Sequence, residues 1–288
     1  MGIVDQAVAR RMWQLLEPVH AVVYFAPEAR AAYTDAGLKG GWMGYFASRA
    51  AAMGPVPPEM VIATFYNFHP KMVRRAIPDA WSFSTPEKVL RARLQVADLV
   101  LRRLLGGEVE TLHVSGAARL ARRAAETAEP VGRALFAAHA ALPWPDAPHL
   151  ELWHAATLLR EFRGDGHVAV LVANEIDGCE AHVLITTDYV MPAEMQRANR
   201  GWSEEEWAAA EDRLLARGLI NAGGLTDAGR RLRLAIEDAT DRLALAPYRE
   251  LGAAGCAELE HHLLEINRAV GATIPYPNPM GLTPAADL

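Results

Sequence analysis

The side chains that can do chemistry in this 288-residue chain gather in four segments. The richest is Trp153-His154 followed by Arg160, Arg163, Asp165 and His167. The others are His20 with Tyr24, Phe65-Tyr66-Asn67 with His69, and His182 with Thr186 and Thr187. Imidazole exchanges protons near neutral pH, and a neighbouring carboxylate orients the ring and raises its pKa. His154, His167 and Asp165 are therefore the candidate catalytic residues. The candidate ligand-binding residues are His20, Tyr24, Tyr66, Asn67, His69, Trp153, Arg160, Arg163 and His182. Aromatic walls with a few convergent polar groups are the usual make-up of a small-molecule site. A plainer reading stands beside this one. A lone histidine on an apolar helix, such as His20, His113, His139 or His149, is more often a hydrogen-bonded core residue. Asp165 could equally be the N-cap of a helix that starts after it.

Other chemistries find little support. There is no His-Glu-x-x-His, no cysteine pair and no His-x-His, and His261-His262 are adjacent and so diverge on a helix. No metal site is expected, because one could only be assembled across distant segments. The cofactor is left unknown; haem held through one histidine would leave no sequence trace. Gly37-Leu38-Lys39-Gly40-Gly41 follows no strand, so it reads as a turn rather than a dinucleotide loop. No Gly-x-Ser-x-Gly elbow exists. Cys179 opens a helix, which can lower a thiol pKa, but it reads better as a small buried residue.

The elements that must position these residues are helical. Apolar spacing predicts helices over 5–16 (ended by Pro18), 27–36, 42–52, 57–68 and from Ser84-Thr85-Pro86-Glu87 to about Leu105. Further helices are predicted over 115–127, 130–141, 149–162, 167–176, 179–190, 203–217, 226–244 and 255–269. Short strands are predicted at Val109–Val114 and Leu219–Leu225. Pro143, Pro145 and Pro148 make a stiff connector, placing a boundary between units 1–142 and 149–270, with an extended tail over 271–288.

The two halves repeat. Gly41 matches Gly166, Met53-Gly54 matches Asp177-Gly178, and Glu59 matches Glu180. Pro70 matches Pro192, Trp81 matches Trp202, and Glu87 matches Glu206. Several matches in one order point to internal duplication, with the paired tryptophans in packing roles. Tyr66, Asn67 and His69 fall outside the match, as a site grafted onto one copy would.

The second copy ends Ala216-Arg217-Gly218-Leu219-Ile220, then Leu225-Thr226-Asp227-Ala228-Gly229-Arg230. This run resembles the third helix, wing and last helix of MarR-type winged-helix proteins. The whole chain also resembles an uncharacterised actinobacterial family of helix-turn-helix, MarR-like proteins, through Glu17–Val22, Ala63–Pro70, Leu150–Ala156 and Arg163–His167. The resemblance implies a fold and no established activity. The expected fold is mainly α, with tandem pseudo-repeated winged-helix units carrying short β-wings.

Nucleic acid is an unexpected partner. Net charge is −6, with Lys only at positions 39, 71 and 88 among 29 basic residues. The candidate recognition helices, Cys179–Tyr189 and Glu59–His69, lack Arg and Lys, and phosphate affinity scales with the cations placed. The cluster Arg91–Arg103 reads as a solvated helical face. With no secretory signal, no apolar run near the ~20 residues of a membrane span and two cysteines, a cytoplasmic protein is expected. The resulting expectation is a small-molecule-binding protein with an aromatic and histidine-lined pocket between its units, with an enzyme of specialised metabolism left open. The alternative is a MarR-like, ligand-responsive DNA-binding regulator. A third reading is a structural partner-binding module. The regulator reading predicts a symmetric homodimer, and the binder or enzyme reading a pocket enclosed within one chain.

Overall fold

Helices dominate the computed structural model, which describes residues 3–187 and 191–282. In order they are α1 (Gln6–Phe25), α2 (Pro27–Asp35), α3 (Gly41–Ala50), α4 (Pro58–Phe65), α5 (Pro70–Arg74), α6 (Asp79–Phe83) and α7 (Pro86–Leu105). Then follow α8 (Leu112–Glu126), α9 (Ala134–Ala140), α10 (Pro148–Ala173), α11 (Gly178–Thr186), α12 (Ala193–Arg200) and α13 (Glu204–Ala216). A hairpin of β1 (Ile220–Asn221) and β2 (Gly224–Leu225) leads to α14 (Asp227–Leu243) and α15 (Ala246–Val270). No helix among the described residues is long and apolar enough to cross a membrane.

Local chemistry sets most helix starts. The Thr85 hydroxyl accepts the Lys88 amide at 3.3 Å, with Pro86 in the first turn of α7. Asp177 and Ser203 open α11 and α13 with capping boxes completed by Glu180 and Glu206. Thr226 caps α14 by accepting the Gly229 amide at 3.1 Å. Gly229 is needed there, because a Cβ would lie 2.0 Å from the Leu219 carbonyl oxygen. The hairpin and α14 can approach only at a residue without a side chain.

Buried apolar side chains form two clusters. The larger runs from Ala9 to Phe162 and takes up Ala244–Val270. Here α10 packs on α8, α1 and α9, and α15 returns onto α8 and α1. The smaller cluster holds Val170, Leu171, Ile176, Trp207, Leu214, Ile220, Leu225 and Ile236, drawn from the end of α10 and just beyond it, from α13, the hairpin and α14. The cores thus divide inside α10, between Phe162 and Val170, and not at the Pro143–Pro148 connector. The reason is continuity: the first four turns of α10 are buried in one core and its last turns in the other.

Several sequence expectations are corrected. Helices 149–162 and 167–176 are one helix, because burial on both sides outweighs the cost of Gly164 and Gly166, about 1 kcal/mol each. Helix α1 continues through Pro18, since Val19, Val22 and Val23 are buried beyond it. The strand expected at Val109–Val114 is a 3-10 turn, Gly106–Glu110, and the start of α8. Val109 and Val114 are buried by helical turns and have no partner strand. The first half therefore carries no wing, and the hairpin after α13 is the only sheet among the described residues. Helix 179–190 ends at Thr186, with Asp188, Tyr189 and Val190 outside the described residues. The tail folds back as far as it is described: Arg200 Nη2 donates to the Pro279 carbonyl at 2.8 Å, and Leu282 is buried.

Candidate functional site

The most polar part of the interior lies among α1, α3, α7 and α10, with α12 reaching in. His20 from α1 is fully buried. Its Nδ1 is 2.9 Å from the Thr157 hydroxyl and its Nε2 is 2.8 Å from the Tyr24 hydroxyl. The ring lies parallel to Trp153, 6.4 Å between centroids, and the Trp153 indole donates to the His20 carbonyl. Tyr24 meets Tyr45 at 5.2 Å, and Arg49 donates to the Tyr45 hydroxyl at 3.0 Å. Arg49 also contacts Glu161, which bonds Arg160 at 2.8 Å, and Arg160 reaches Glu17 at 3.2 Å. Arg200 closes the group, its guanidinium 4.6 Å from the Phe68 ring.

Arg93 is the unusual member. It is 1% exposed, donates once, to the Ser48 carbonyl at 3.2 Å, and lies 5.1 Å over Trp153. Its Nε and Nη2 are buried without partners, and no carboxylate among the described residues pairs with it. Arg49, Arg93, Arg160 and Arg200 thus face two buried carboxylates, Glu17 and Glu161. The interior carries an excess of positive charge.

The electrostatics follow from burial and from these cations. Burial opposes ionisation of Glu161, but Arg160 and Arg49 hold its carboxyl well below the usual range. Burial and then Arg160 and Arg93 push His20 well below its ordinary value, so the ring is neutral. Burial raises Tyr24. Nearby His139 and His154 fall to about 3 and about 4, through burial first and Arg93 next. Burial lowers Arg200 to about 10. Neutral imidazoles and phenols surrounded by guanidiniums suit an anionic guest that accepts hydrogen bonds.

The sequence-based candidates separate into groups. His20, Tyr24, Trp153 and Arg160 meet in this interior, with His154 at its edge against Trp144 at 4.8 Å. Tyr66, Asn67, His69 and His182 instead join the two cores. The Tyr66 hydroxyl donates to the Ile176 carbonyl at 2.6 Å, and the Asn67 carbonyl accepts the Trp202 indole at 3.2 Å. His69 pairs with Glu206 at 2.8 Å, and buried His182 meets Gln196 at 2.6 Å. Arg163 ties α10 to Asp241 at 2.8 Å and stacks over Trp13.

The expected catalytic set does not assemble. Asp165 and His167 are two positions apart on one helix and point about 200° apart, while His154 lies roughly 16 Å along the axis from Asp165. Asp165 caps no following helix; it accepts the Phe136 amide at 2.9 Å, at the start of α9. His167 bonds the Thr240 hydroxyl at 2.9 Å, on α14.

Sequence reasoning missed Glu17, Tyr45, Arg49, Arg93, Glu161 and Arg200, and read His139 as a core histidine, which it is, bonded to the Arg49 carbonyl at 3.2 Å. One signal was present: Arg93 shares the apolar stripe of α7 with Val89, Val96, Ala97 and Val100, where a solvated arginine has no place. A shallow cleft lies elsewhere, lined by Tyr66, Val172, Asp177, Glu180, Arg213 and Arg217. A small cavity touches the buried group at Glu17 and Arg160, beside Trp13 and Arg163. Against the expected divergence of His261 and His262, the structure brings both to His113 on α8.

It is α13, and not the Cys179–Tyr189 segment read from the sequence as a candidate recognition helix, that directly precedes the hairpin. The exposed residues of α13 are Glu204, Glu205, Ala208, Ala209, Asp212, Arg213, Leu215 and Ala216. Arg213 is drawn to Asp177 and Glu180, and Arg217 donates to the carbonyls of Glu175 and Asn174. No curated protein and no solved structure matches the chain. A family model described as a helix-turn-helix family does, over residues 9–277, and the chain belongs to that helix-turn-helix family.

Proposed function

We propose that the protein binds an anionic small molecule, of the aromatic carboxylate or phosphate class, in the arginine-rich interior around His20, Tyr24, Tyr45 and Trp153. The observation that carries this reading is Arg93. A buried guanidinium without a carboxylate costs several kcal/mol, and a bound anion would offset that cost. Trp153 and the tyrosines supply flat apolar walls, and the Tyr24 hydroxyl, held by His20, has a hydrogen-bonding position left for a polar edge. Any acid–base step in this reading falls to the His20–Tyr24 pair and not to His154, Asp165 and His167. The reading keeps the cytoplasmic setting and the duplication: Trp81 and Trp202, its matched pair, each donate an indole N–H to a backbone carbonyl.

The test is thermal denaturation with a panel of aryl carboxylates and phosphate esters, beside native mass spectrometry of freshly purified protein. A saturable rise in Tm, lost in Arg93→Met, supports the reading. No shift with any anion and no co-purifying mass overturns it.

A MarR-like DNA-binding regulator is the second reading, favoured by family membership and by the wing after α13. The acidic exposed side of α13 weighs against it, since carboxylates repel phosphates and its arginines are engaged. Fluorescence anisotropy with duplex DNA at low salt decides: binding whose log K falls linearly with log salt would favour the regulator.

A further inference from the structure

The sequence offers no metal motif, yet the fold builds a cluster of three imidazoles. His113 lies in the first turn of α8, and His261 and His262 lie midway along α15. The His113 and His262 Nδ1 atoms are 3.2 Å apart. One candidate ligand atom from each ring falls within 4.8 Å of the others. The ring centroids stand 5.3 Å (His113 to His262), 5.5 Å (His113 to His261) and 5.7 Å (His261 to His262) apart. The three rings therefore form a nearly equilateral set.

Those spacings match a coordination sphere. Three imidazoles on a tetrahedral ion with metal–nitrogen bonds of about 2.0–2.1 Å put neighbouring nitrogens about 3.3 Å apart and ring centroids about 5.2 Å apart. Packed rings also stand about 4.5–7 Å apart, so the 3.2 Å approach of the His113 and His262 Nδ1 atoms, more than the centroid distances, carries the fit. The surroundings fit as well. Glu258 lies 3.8 Å from the far nitrogen of His262 and is itself held by Arg119 at 2.8 Å. A carboxylate behind a ligating imidazole is the usual outer support of a metal site. Gly116, one turn after His113, makes room for the ring: a Cβ there would fall 2.4 Å from His262 Nε2. A cleft lined by Glu108, Thr111, His113, Glu265 and Arg268 shares His113 with the cluster. Two of the three histidines are half-buried and one is exposed, so an ion can reach them from solvent.

We propose that His113, His261 and His262 bind one divalent transition-metal ion of the imidazole-preferring class, zinc foremost, and so clamp α8 to α15. With three protein ligands, a fourth position is left for water or an exogenous ligand. Carboxylate-preferring ions such as magnesium and calcium do not suit a site of three nitrogens. The site is separate from the arginine-rich interior, so its fate and that of the proposed function are independent.

The test uses tag-free protein stripped with chelator. Isothermal titration with zinc chloride at pH 7.5 should give one ion per chain, and Tm should rise with zinc, because an ion that binds only the folded chain stabilises it. Single variants His113→Ala and His262→Ala should weaken the dissociation constant at least tenfold, whereas His149→Gln, outside the cluster, should leave it unchanged. Gly116→Ala, which displaces the His262 ring without removing a ligand, should weaken zinc as well. Circular dichroism of each metal-free variant confirms that it folds. Affinity should also fall as pH is lowered, because only a neutral imidazole binds the ion. A titration without saturable uptake, or uptake equal in the parent and in both alanine variants, overturns the proposal and leaves the 3.2 Å contact as an imidazole–imidazole hydrogen bond.

Discussion

Arg49 meets Glu161 inside the protein, with Nη2 3.3 Å from each carboxylate oxygen and side chains 7% and 2% exposed. The same carboxylate accepts Arg160 at 2.8 Å, so one negative charge serves two guanidiniums. Breaking a buried pair by removing one partner costs about 3–5 kcal/mol, because the remaining charge is left uncompensated. Glu161→Gln, equal in size, should lower stability by that amount. The readout is a lower urea midpoint with an unchanged slope. A change under about 1 kcal/mol would mean that water reaches the guanidiniums.

Arg93 predicts the opposite sign. Its guanidinium has one hydrogen bond and no carboxylate, so truncation removes a buried charge without stranding an anion. Arg93→Met, which keeps an unbranched apolar side chain in place of the guanidinium over Trp153, should be neutral or stabilising by about 1–2 kcal/mol in urea unfolding. The same variant should lose the Tm response to anionic ligands. Natural proteins tolerate such costs where function needs the group. A destabilisation above about 1 kcal/mol would mark Arg93 as structural.

Asp165 makes stability fall as pH rises. Burial lifts its carboxyl to about 6, against the opposing hydrogen bond from the Phe136 amide. The folded value lies above the unfolded value of about 3.9, so the protonated form is favoured in the fold. Its contribution is full below about pH 4 and is lost as pH rises through 6. Because water reaches part of the group, the loss is set at about 2 kcal/mol rather than the full conversion. Asp165→Asn keeps an acceptor for Phe136 and removes the titration. The variant should therefore exceed the parent at pH 7.5 and match it near pH 4, measured by urea midpoints. Parallel curves would refute the shift.

Much of the helical order was legible because it is written locally. Thr85-Pro86, the Asp177 and Ser203 capping boxes and the Leu225–Arg230 run each fix a boundary within a few residues. The hairpin was legible for the same reason. The α10 continuity was not, because glycines at 164 and 166 read as a stop while the packing that overrides them comes from α1, α8, α9 and α14. The candidate site was half legible. His20, Tyr24, Trp153 and Arg160 stood out by residue type, but the Arg91–Arg103 cluster, Arg93 included, read as a solvated face. Only the fold shows that Arg49, Arg93 and Arg200 turn inward. His113 lies almost 150 residues from His261 and His262 in sequence, and spacing rules cannot see across such a gap.

His154 opposes Asp165 in sign, which lets the two titrations be told apart. Burial first, and Arg93 and Arg122 next, push the imidazole down to about 4. The folded value lies below the unfolded value of about 6.5, so the fold favours the neutral ring. The contribution is full above about pH 6.5 and is lost as pH falls through 4. Between pH 7.5 and 5.0 this amounts to about 2 kcal/mol. The ring stands edge-on to Trp144 at 4.8 Å, and its Nε2 has no partner, so a phenyl ring can take its place. His154→Phe should therefore flatten the acid side of the stability profile by about that amount and leave the neutral side within about 1 kcal/mol of the parent. Both titrations fall between about pH 4 and 6.5 with opposite signs, so they offset each other in the parent, and the double variant should show the two single-variant changes added, the sites being well separated on α10. An acid slope unchanged in His154→Phe would place the acid-sensitive proton uptake on His20, His139 or His182 instead.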